Sequence, residues 1–269
     1  TEIDDWAFAW ITNMKTIDIP DTVESVGFNA YIYAKGVKTI SIDPRFQPDA
    51  AKSDIWLPIR PGTDIAFYGG LINYILENHL YQEEYVLNYT NAACILRKDF
   101  KFDPYTGLFS GWDPKTKKYS DETWGYDVDH FEKWDTSPTG EYAWVNKPGT
   151  PKFEPPELEV LKRDMTLKDP MCVLNVLRRH YARYTPELVS RVTGMDIDVM
   201  KRIWEVYAST GKPGKAGSIL YALGQTQHTY GSQNCRAMCM VQLLLGNVGI
   251  PGGGINALRG EPNVQGATD

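Results

Sequence analysis

The sequence predicts an α/β fold with a helical and irregular middle. Three observations carry this reading: short β-branched or apolar runs that end in polar, glycine-bearing loops, apolar residues at helical spacing directly after those loops, and a central stretch with no period at all. The chain has 269 residues and is 42% hydrophobic and 12% aromatic, enough to build a packed core of one large or two small domains and far from the profile of a disordered chain.

Taken in order, residues 37–42 (VKTISI) read as a buried strand opening into Asp43-Pro44-Arg45, and residues 55–59 as a second strand closed by Arg60-Pro61-Gly62-Thr63-Asp64. A helix then starts at Asp64, with Ile65, Leu71, Ile72, Ile75 and Leu76 on its apolar face and Thr63 or Asp64 placed to cap it. Residues 99–170 change character. Turn signals at Asp103-Pro104, Thr106-Gly107 and Asp113-Pro114 mark a long aromatic-rich insertion with little regular structure, of a kind that covers or docks something or wraps its own subunit. Helices return over 172–184, from Thr185-Pro186-Glu187, where Thr caps and Pro fits the first turn, and over 197–209. Residues 217–223 form a third apolar strand, 233–245 a helix, and Pro251-Gly252-Gly253-Gly254 breaks the chain before a final glycine-containing loop.

Composition excludes several classes. The net charge is −6 with Lys and Arg scattered, so no basic stripe exists to meet a phosphate backbone, and nucleic acid is not expected as a partner. No apolar run approaches the roughly 18 residues that span a bilayer. The N-terminus lacks a secretory-signal pattern, which leaves location open. Four cysteines are too few and irregular for a disulfide framework. Cys235 and Cys239 lie four apart in an apolar helical run and read as buried structural thiols, not cluster ligands. His79, His130 and His180 have no metal-ligand spacing and receive no role.

Chemistry concentrates where loops follow strand ends, the place open α/β sheets bind ligands. The first such region is Asp43-Pro44-Arg45 with Gly62-Thr63-Asp64. An acidic group there can accept from a nucleobase edge or ribose hydroxyl while Gly62 lets backbone amides come close, although Asp and Gly are also ordinary turn formers. The glycines match neither a G-x-G-x-x-G fingerprint nor a P-loop. The second is Leu223-Gly224-Gln225-Thr226-Gln227-His228, in which His228 is either a ligand-loop residue or a polar residue at a helix N-terminus. The third is the loop from Arg259 to Gly266. The Arg259 fork suits a small carboxylate and the Asn263 and Gln265 amides suit a heteroaromatic ring, between flanking Gly260 and Gly266; a surface salt bridge is the plainer role for Arg259.

At these loops the chain resembles the catalytic subunit of molybdopterin-guanine-dinucleotide formate dehydrogenases, within the wider dimethyl sulfoxide reductase family. The likeness is carried by YALGQTQHTYGSQNCRAMCMVQLLLGNVGIPGGGINALRGEPNVQGATD, by ISIDPRF and LPIRPGTDIAF, and by the insertion LFSGWDPKTKKYSDETWGY, which looks most like the respiratory and periplasmic branch. It covers nearly everything from Gly27 onward. The resemblance implies parallel-sheet, dinucleotide-binding-like parts of two domains from a larger multidomain oxidoreductase, divided as residues 1–98, a 99–170 insertion and 171–269. It further implies a bis-molybdopterin guanine dinucleotide with molybdenum or tungsten, and the two-electron interconversion of formate and carbon dioxide. By the same resemblance Asp43, Arg45 and Asp64 would lie around a guanine dinucleotide and Gly224, Gln225 and Gln227 near a pterin, with Gly62 and His228 counted among the cofactor-binding residues of the same loops. Arg259 would hold formate, and Gly260, Asn263, Gln265 and Gly266 would border the cofactor. An iron–sulfur cluster in the complete subunit, the remainder of that subunit, an iron–sulfur electron-transfer subunit and a periplasmic location, with the cytoplasm as alternative, complete the implied picture.

Two family features have no match: the N-terminal iron–sulfur cysteine motif, and the selenocysteine or cysteine metal ligand followed by histidine, so no metal ligand is assigned. Residues 1–24 also do not look like the strand and glycine-rich loop expected there. The chain therefore reads as a fragment of a catalytic subunit. A related oxidoreductase acting on another small substrate such as nitrate, or a non-catalytic scaffold relative, are the alternatives, and the ALRGEPNVQG loop favours formate.

Overall fold

A computed structural model describes residues 37–133 and 157–258, together with two short strands, β1 (Glu2–Ile3) and β2 (Ser25–Val26), that pair in parallel. Strands β3 (Ile40–Ile42) and β4 (Ile55–Leu57) form a second parallel pair, Ile40 opposite Ile55 and Ile42 opposite Leu57. The chain then enters helix α1 (Asp64–Glu77).

Helix α1 is the centre of the core. Phe67, Leu71, Ile72, Ile75 and Leu76 are buried on it, and it packs against four helices described below. Gly69 and Gly70 interrupt it at a cost of roughly 0.5–1 kcal/mol each in helix propensity, and close approach explains them. A Cβ on Gly70 would stand 2.5 Å from the Trp204 ring, and one on Gly69 2.7 Å from the Tyr184 ring. The expected cap is absent. Thr63 Oγ1 donates to Arg60 O at 2.6 Å instead of accepting from the helix, and Asp64 lies inside the first turn with its carboxylate engaged elsewhere.

Helix α2 (Glu83–Tyr89) follows, with Gln82 Oε1 accepting from Tyr85 N–H. The insertion is more regular than its composition suggests. It holds the hairpin β5 (Trp112–Asp113) with β6 (Lys118–Tyr119), and an antiparallel pair of β7 (Val128–Glu132) with β8 (Leu158–Leu161) bearing an irregularity between Val128 and His130. Isolated bridges Cys94 to Arg163 and Leu96 to Tyr126 tie it to the core, and Ile95 to Cys172 joins the segments on either side of it. Its turns share one chemistry. Asp103 accepts from Tyr105 N–H at 2.9 Å and the Thr106 hydroxyl at 2.6 Å, and Asp113 repeats this with Lys115 and Thr116 at 2.9 and 2.7 Å. The insertion lies on its own subunit: Phe109 stacks on His180 with ring centroids 5.5 Å apart.

Helices α3 (Val173–Tyr181), α4 (Pro186–Thr193) and α5 (Ile197–Ala208) come next. Thr185 caps α4 as expected, its side chain accepting from Leu188 N–H at 3.3 Å, and Asp196 caps α5 through Asp198 and Val199 N–H, both at 3.0 Å. Strand β9 (Ser218–Tyr221) stops earlier than expected, because residues from Leu223 turn into a one-turn helix, α6 (Leu223–Thr226). Helix α7 (Gly231–Leu244) leads to β10 (Gly254–Ala257), which pairs in parallel with β9. Helices α3, α4, α5 and α7 are the four that surround α1, so residues from Leu57 to Leu245 share one hydrophobic core.

Among the described residues the architecture is a mixture of helices and small two-stranded sheets, in place of the larger parallel sheets expected near each end. Two buried polar side chains organise the β9–β10 pair. Gln242 Nε2 donates to Gly217 O at 2.8 Å and Gly254 O at 2.5 Å, while Gln242 Oε1 accepts from Tyr207 OH at 2.8 Å and Asn247 Nδ2 at 3.1 Å. Asn247 also accepts from Gly217 N–H at 3.1 Å.

Candidate functional site

The loops at the C-terminal ends of β4 and β9 meet. Asp64, the first residue of α1, is 8% exposed, and its Oδ1 accepts from Gln225 Nε2 at 2.9 Å across 161 residues of sequence. His228 comes to the same place: a Cβ on Gly62 would lie 3.9 Å from His228 Nδ1. Of the residues singled out in the sequence, Gly62, Asp64, Gln225 and His228 are brought together.

Each side of this contact is held by its own anchors. On the β4 side, Arg60 N–H donates to Thr193 O at 2.8 Å and its guanidinium to the carbonyls of Val192 and Arg191, so the last carbonyls of α4 are satisfied by the loop that carries Asp64. Gly62 has φ +78° and is exposed, so the glycine answers a left-handed turn, and among the described residues no atom crowds it. On the β9 side, Gln225 N–H donates to Ala222 O at 3.0 Å and Gln227 N–H to Leu223 O at 2.8 Å, closing α6. Asn234, in α7 and 2% exposed, donates through Nδ2 to Gln225 O at 3.0 Å. The turn between α6 and α7 is so close that a Cβ on Gly231 would stand 2.0 Å from Thr226 O.

Among the described residues, two buried oxygens at this contact have no donor, Gln225 Oε1 and Asn234 Oδ1. Neither amide can be turned round to relieve this, because each nitrogen faces an acceptor, the Asp64 carboxylate or the Gln225 carbonyl, and rotation would set oxygen against oxygen. A buried carbonyl left without a donor costs about 1–3 kcal/mol, so the site is short of N–H or O–H groups. Just behind it, the Tyr68 phenol is held protonated well above its usual range, by burial first and then by Asp64 and Cys235.

The remaining sequence candidates are distributed as follows. Asp43 uses one carboxylate oxygen on Arg45 N–H at 2.7 Å, a local turn at the end of β3, and the Arg45 side chain is exposed. Gly224 and Gln227 are exposed, with open space where a Gly224 Cβ would stand. Arg259, Gly260, Asn263, Gln265 and Gly266 lie outside the described residues. Cys235 is only half-buried and Cys239 exposed, against the expectation of two buried thiols; the truly buried cysteines are Cys94 and Cys172, whose thiols burial pushes up. Among the described residues no group of three or more His, Cys, Asp and Glu side chains could hold a metal ion, and no helix is long and apolar enough to cross a membrane. Sequence reading missed Arg60 and Asn234. The first stands in the run that closes β4, with nothing local to single it out, and the second is a polar residue inside an apolar helical stripe, which is its only signal.

Comparison with known proteins places the chain among its relatives. The family model described as molybdopterin oxidoreductase matches residues 16–269. The chain is 46% identical over 234 residues to formate dehydrogenase 2 subunit alpha (cytochrome c-553) of Nitratidesulfovibrio vulgaris, covering 87% of this chain and 20% of that protein. It is 44% identical over 235 residues to the formate dehydrogenase subunit alpha of Megalodesulfovibrio gigas, covering 87% and 20%. Against the formate dehydrogenase-O major subunit of Escherichia coli the figures are 43% over 247 residues, 91% and 22%. The chain thus spans about a fifth of the length of the curated relatives it matches. Among solved structures, acetylene hydratase from Pelobacter acetylenicus aligns with TM-score 0.45 at 19% identity, over 81% of this chain and 18% of that one, too distant to carry an argument. With the family model matched over almost its whole length, this chain belongs to the molybdopterin oxidoreductase family.

Proposed function

We propose that this chain is part of the catalytic subunit of a formate dehydrogenase, in which formate gives up two electrons and a proton to become carbon dioxide, or the reverse. The observation that carries the reading is the 43–46% identity to formate dehydrogenase alpha or major subunits over most of the chain. A bis-molybdopterin guanine dinucleotide is the cofactor form we propose. Its molybdenum or tungsten, when bound, supplies the two-electron acceptor.

The residues present fit such a group. Pterin and guanine rings both carry N–H donors, and the contact of Asp64, Gln225 and Asn234 is rich in acceptors, two of them buried without partners. Asp43, Arg45, Gly62 and Asp64 on one side, and Gly224, Gln225, Gln227 and His228 on the other, would hold the cofactor. The parallel pairs β3–β4 and β9–β10, each followed by a polar, glycine-bearing loop, support reading them as parts of two dinucleotide-binding-like domains, divided at residues 98 and 170 by the insertion. Arg259 would orient the formate carboxylate through its planar fork, which is positioning and not proton transfer. Gly260, Asn263, Gln265 and Gly266 would border the cofactor beyond it. Electrons must leave the metal one at a time, so the proposal includes an iron–sulfur cluster in the complete subunit and an iron–sulfur partner subunit, in the periplasm.

The test is formate-dependent reduction of an artificial electron acceptor by the full-length protein purified with its metal. Arg259→Lys should then lower kcat/KM for formate by more than tenfold while pterin content stays at the wild-type level. An enzyme that reduces nitrate and ignores formate would overturn the substrate assignment, and one inert to both would favour a scaffold role.

A further inference from the structure

The first segment of the insertion does not close flush on α3. A cavity of about 350 Å³ remains between them, walled by Phe100, Phe102 and Pro104 of the insertion and by Met171 and Val176 of the segment that leads into and forms α3. Stacking fixes these walls. The Phe102 ring lies 5.6 Å from His180, and the Phe100 ring 5.8 Å from Phe109, which itself stacks on His180. Concave apolar walls at the junction of two packed units, with a few polar groups at the edge, are the usual makings of a small-molecule site.

The polar groups here are two cations, Lys101 from the insertion and Arg179 from α3, both exposed. Among the described residues neither side chain has a counterion or an acceptor. The acids beside Lys101 in sequence are already used. Asp99 pairs with Arg97 at 2.7 Å. Asp103 accepts from the Thr106 hydroxyl at 2.6 Å and from Tyr105 N–H at 2.9 Å, and it feels the charge of Arg183. In a chain of net charge −6, one apolar cavity therefore keeps two positive groups with no negative partner. A guanidinium fork beside an ammonium suits a carboxylate. The apolar walls gain only from a ligand that also brings carbon to bury, which a bare small anion does not.

We propose that this cavity binds a small amphipathic carboxylate, a short aryl or alkyl acid. Its apolar body would lie against Phe100, Phe102 and Val176, and its carboxylate would meet Lys101 and Arg179. One cation belongs to the insertion and the other to α3, so the bound acid ties the insertion to the core. The proposal shares no residue with the cofactor reading above.

The probe is phenylacetate, compared with its neutral isostere phenylacetamide and with acetate as the bare anion, by equilibrium dialysis against the full-length protein purified with its metal. Phenylacetate should bind saturably with a Kd between about 10 μM and about 1 mM. Phenylacetamide and acetate should each bind at least about tenfold more weakly. Lys101→Met and Arg179→Met, both at exposed positions, should each weaken phenylacetate at least about fivefold. Bound phenylacetate should also slow amide hydrogen exchange over residues 100–104 and in α3. The absence of saturable binding up to about 10 mM, as when polypeptide from the rest of the subunit fills the cavity, overturns the proposal. Equal binding of the acid and the amide overturns it as well, and so does phenylacetate binding that survives in the Lys101→Met, Arg179→Met double variant. The readout is binding and not turnover, so each of these results leaves the formate dehydrogenase reading where it stands.

Discussion

Replacing Gln242 by Leu should open the β9–β10 strand pair without touching the loops that carry Asp64 and Gln225. The side chain is fully buried and makes four hydrogen bonds, donating to Gly217 O and Gly254 O and accepting from Tyr207 OH and Asn247 Nδ2. Leucine fills nearly the same volume but leaves those groups facing apolar carbon. Asn247 keeps its bond to Thr210 Oγ1 at 2.9 Å, so three groups bear most of the loss. At about 1–3 kcal/mol for each buried group stripped of its partner, with some relaxation, the loss should be about 3–5 kcal/mol. Because Gly217 immediately precedes β9 and Gly254 begins β10, the damage should appear locally. In the full-length protein, amide hydrogen exchange over Ser218–Tyr221 and Gly254–Ala257 should accelerate by roughly a hundred- to a few thousand-fold, at tenfold per 1.4 kcal/mol. Acceleration below about fivefold in those strands would refute the claim that this network holds them in register.

Other consequences follow from packing and titration. Gly70→Ala should cost about 1–3 kcal/mol by overpacking against Trp204 and Val189, seen as a lower unfolding midpoint, and Trp204→Phe in the same chain should recover part of it. Burial, aided by the charge of Arg183, pulls the His180 imidazole down to about 4. The unfolded chain therefore takes up a proton at pH values where the folded one does not, and stability should fall as pH drops from about 6.5 toward about 4, a dependence that His180→Gln removes. The Asp164 carboxyl is held down to about 2, first by the Thr166 hydroxyl and then by the N–H groups of Asp169, Thr166 and Lys168. Its contribution is present above its ordinary range near 3.8 and lost as pH falls through about 2. Asp164→Ala should make the 164–169 loop a preferred cleavage point in limited proteolysis at neutral pH.

What the sequence revealed was local in origin. Thr185-Pro186-Glu187 announced α4 because cap and first-turn proline lie side by side, and α1 was legible from the spacing of Leu71, Ile72, Ile75 and Leu76. The reason for Gly69 and Gly70 in that helix was not legible, because Tyr184 and Trp204, which need the space, lie more than a hundred residues on. Thr63 failed as a cap because its hydroxyl found the nearer Arg60 carbonyl. In the insertion, the Asp-Pro turns were readable and the strands were not, since Val128–Glu132 is short and carries three charged or ionisable side chains in five positions. The site divided in the same way. Asp64, Gln225 and His228 were each suspect from their loops, but that Asp64 and Gln225 touch is a matter of tertiary structure, and Asn234 was hidden in a helix where position, not residue type, gives it a role.

The central claim, that this chain helps to build a molybdenum- or tungsten-pterin site, is tested most directly by elemental mass spectrometry of the natively purified full-length protein. The account predicts molybdenum or tungsten approaching one atom per polypeptide. Protein that folds and lacks both metals, after growth with both supplied, would contradict it.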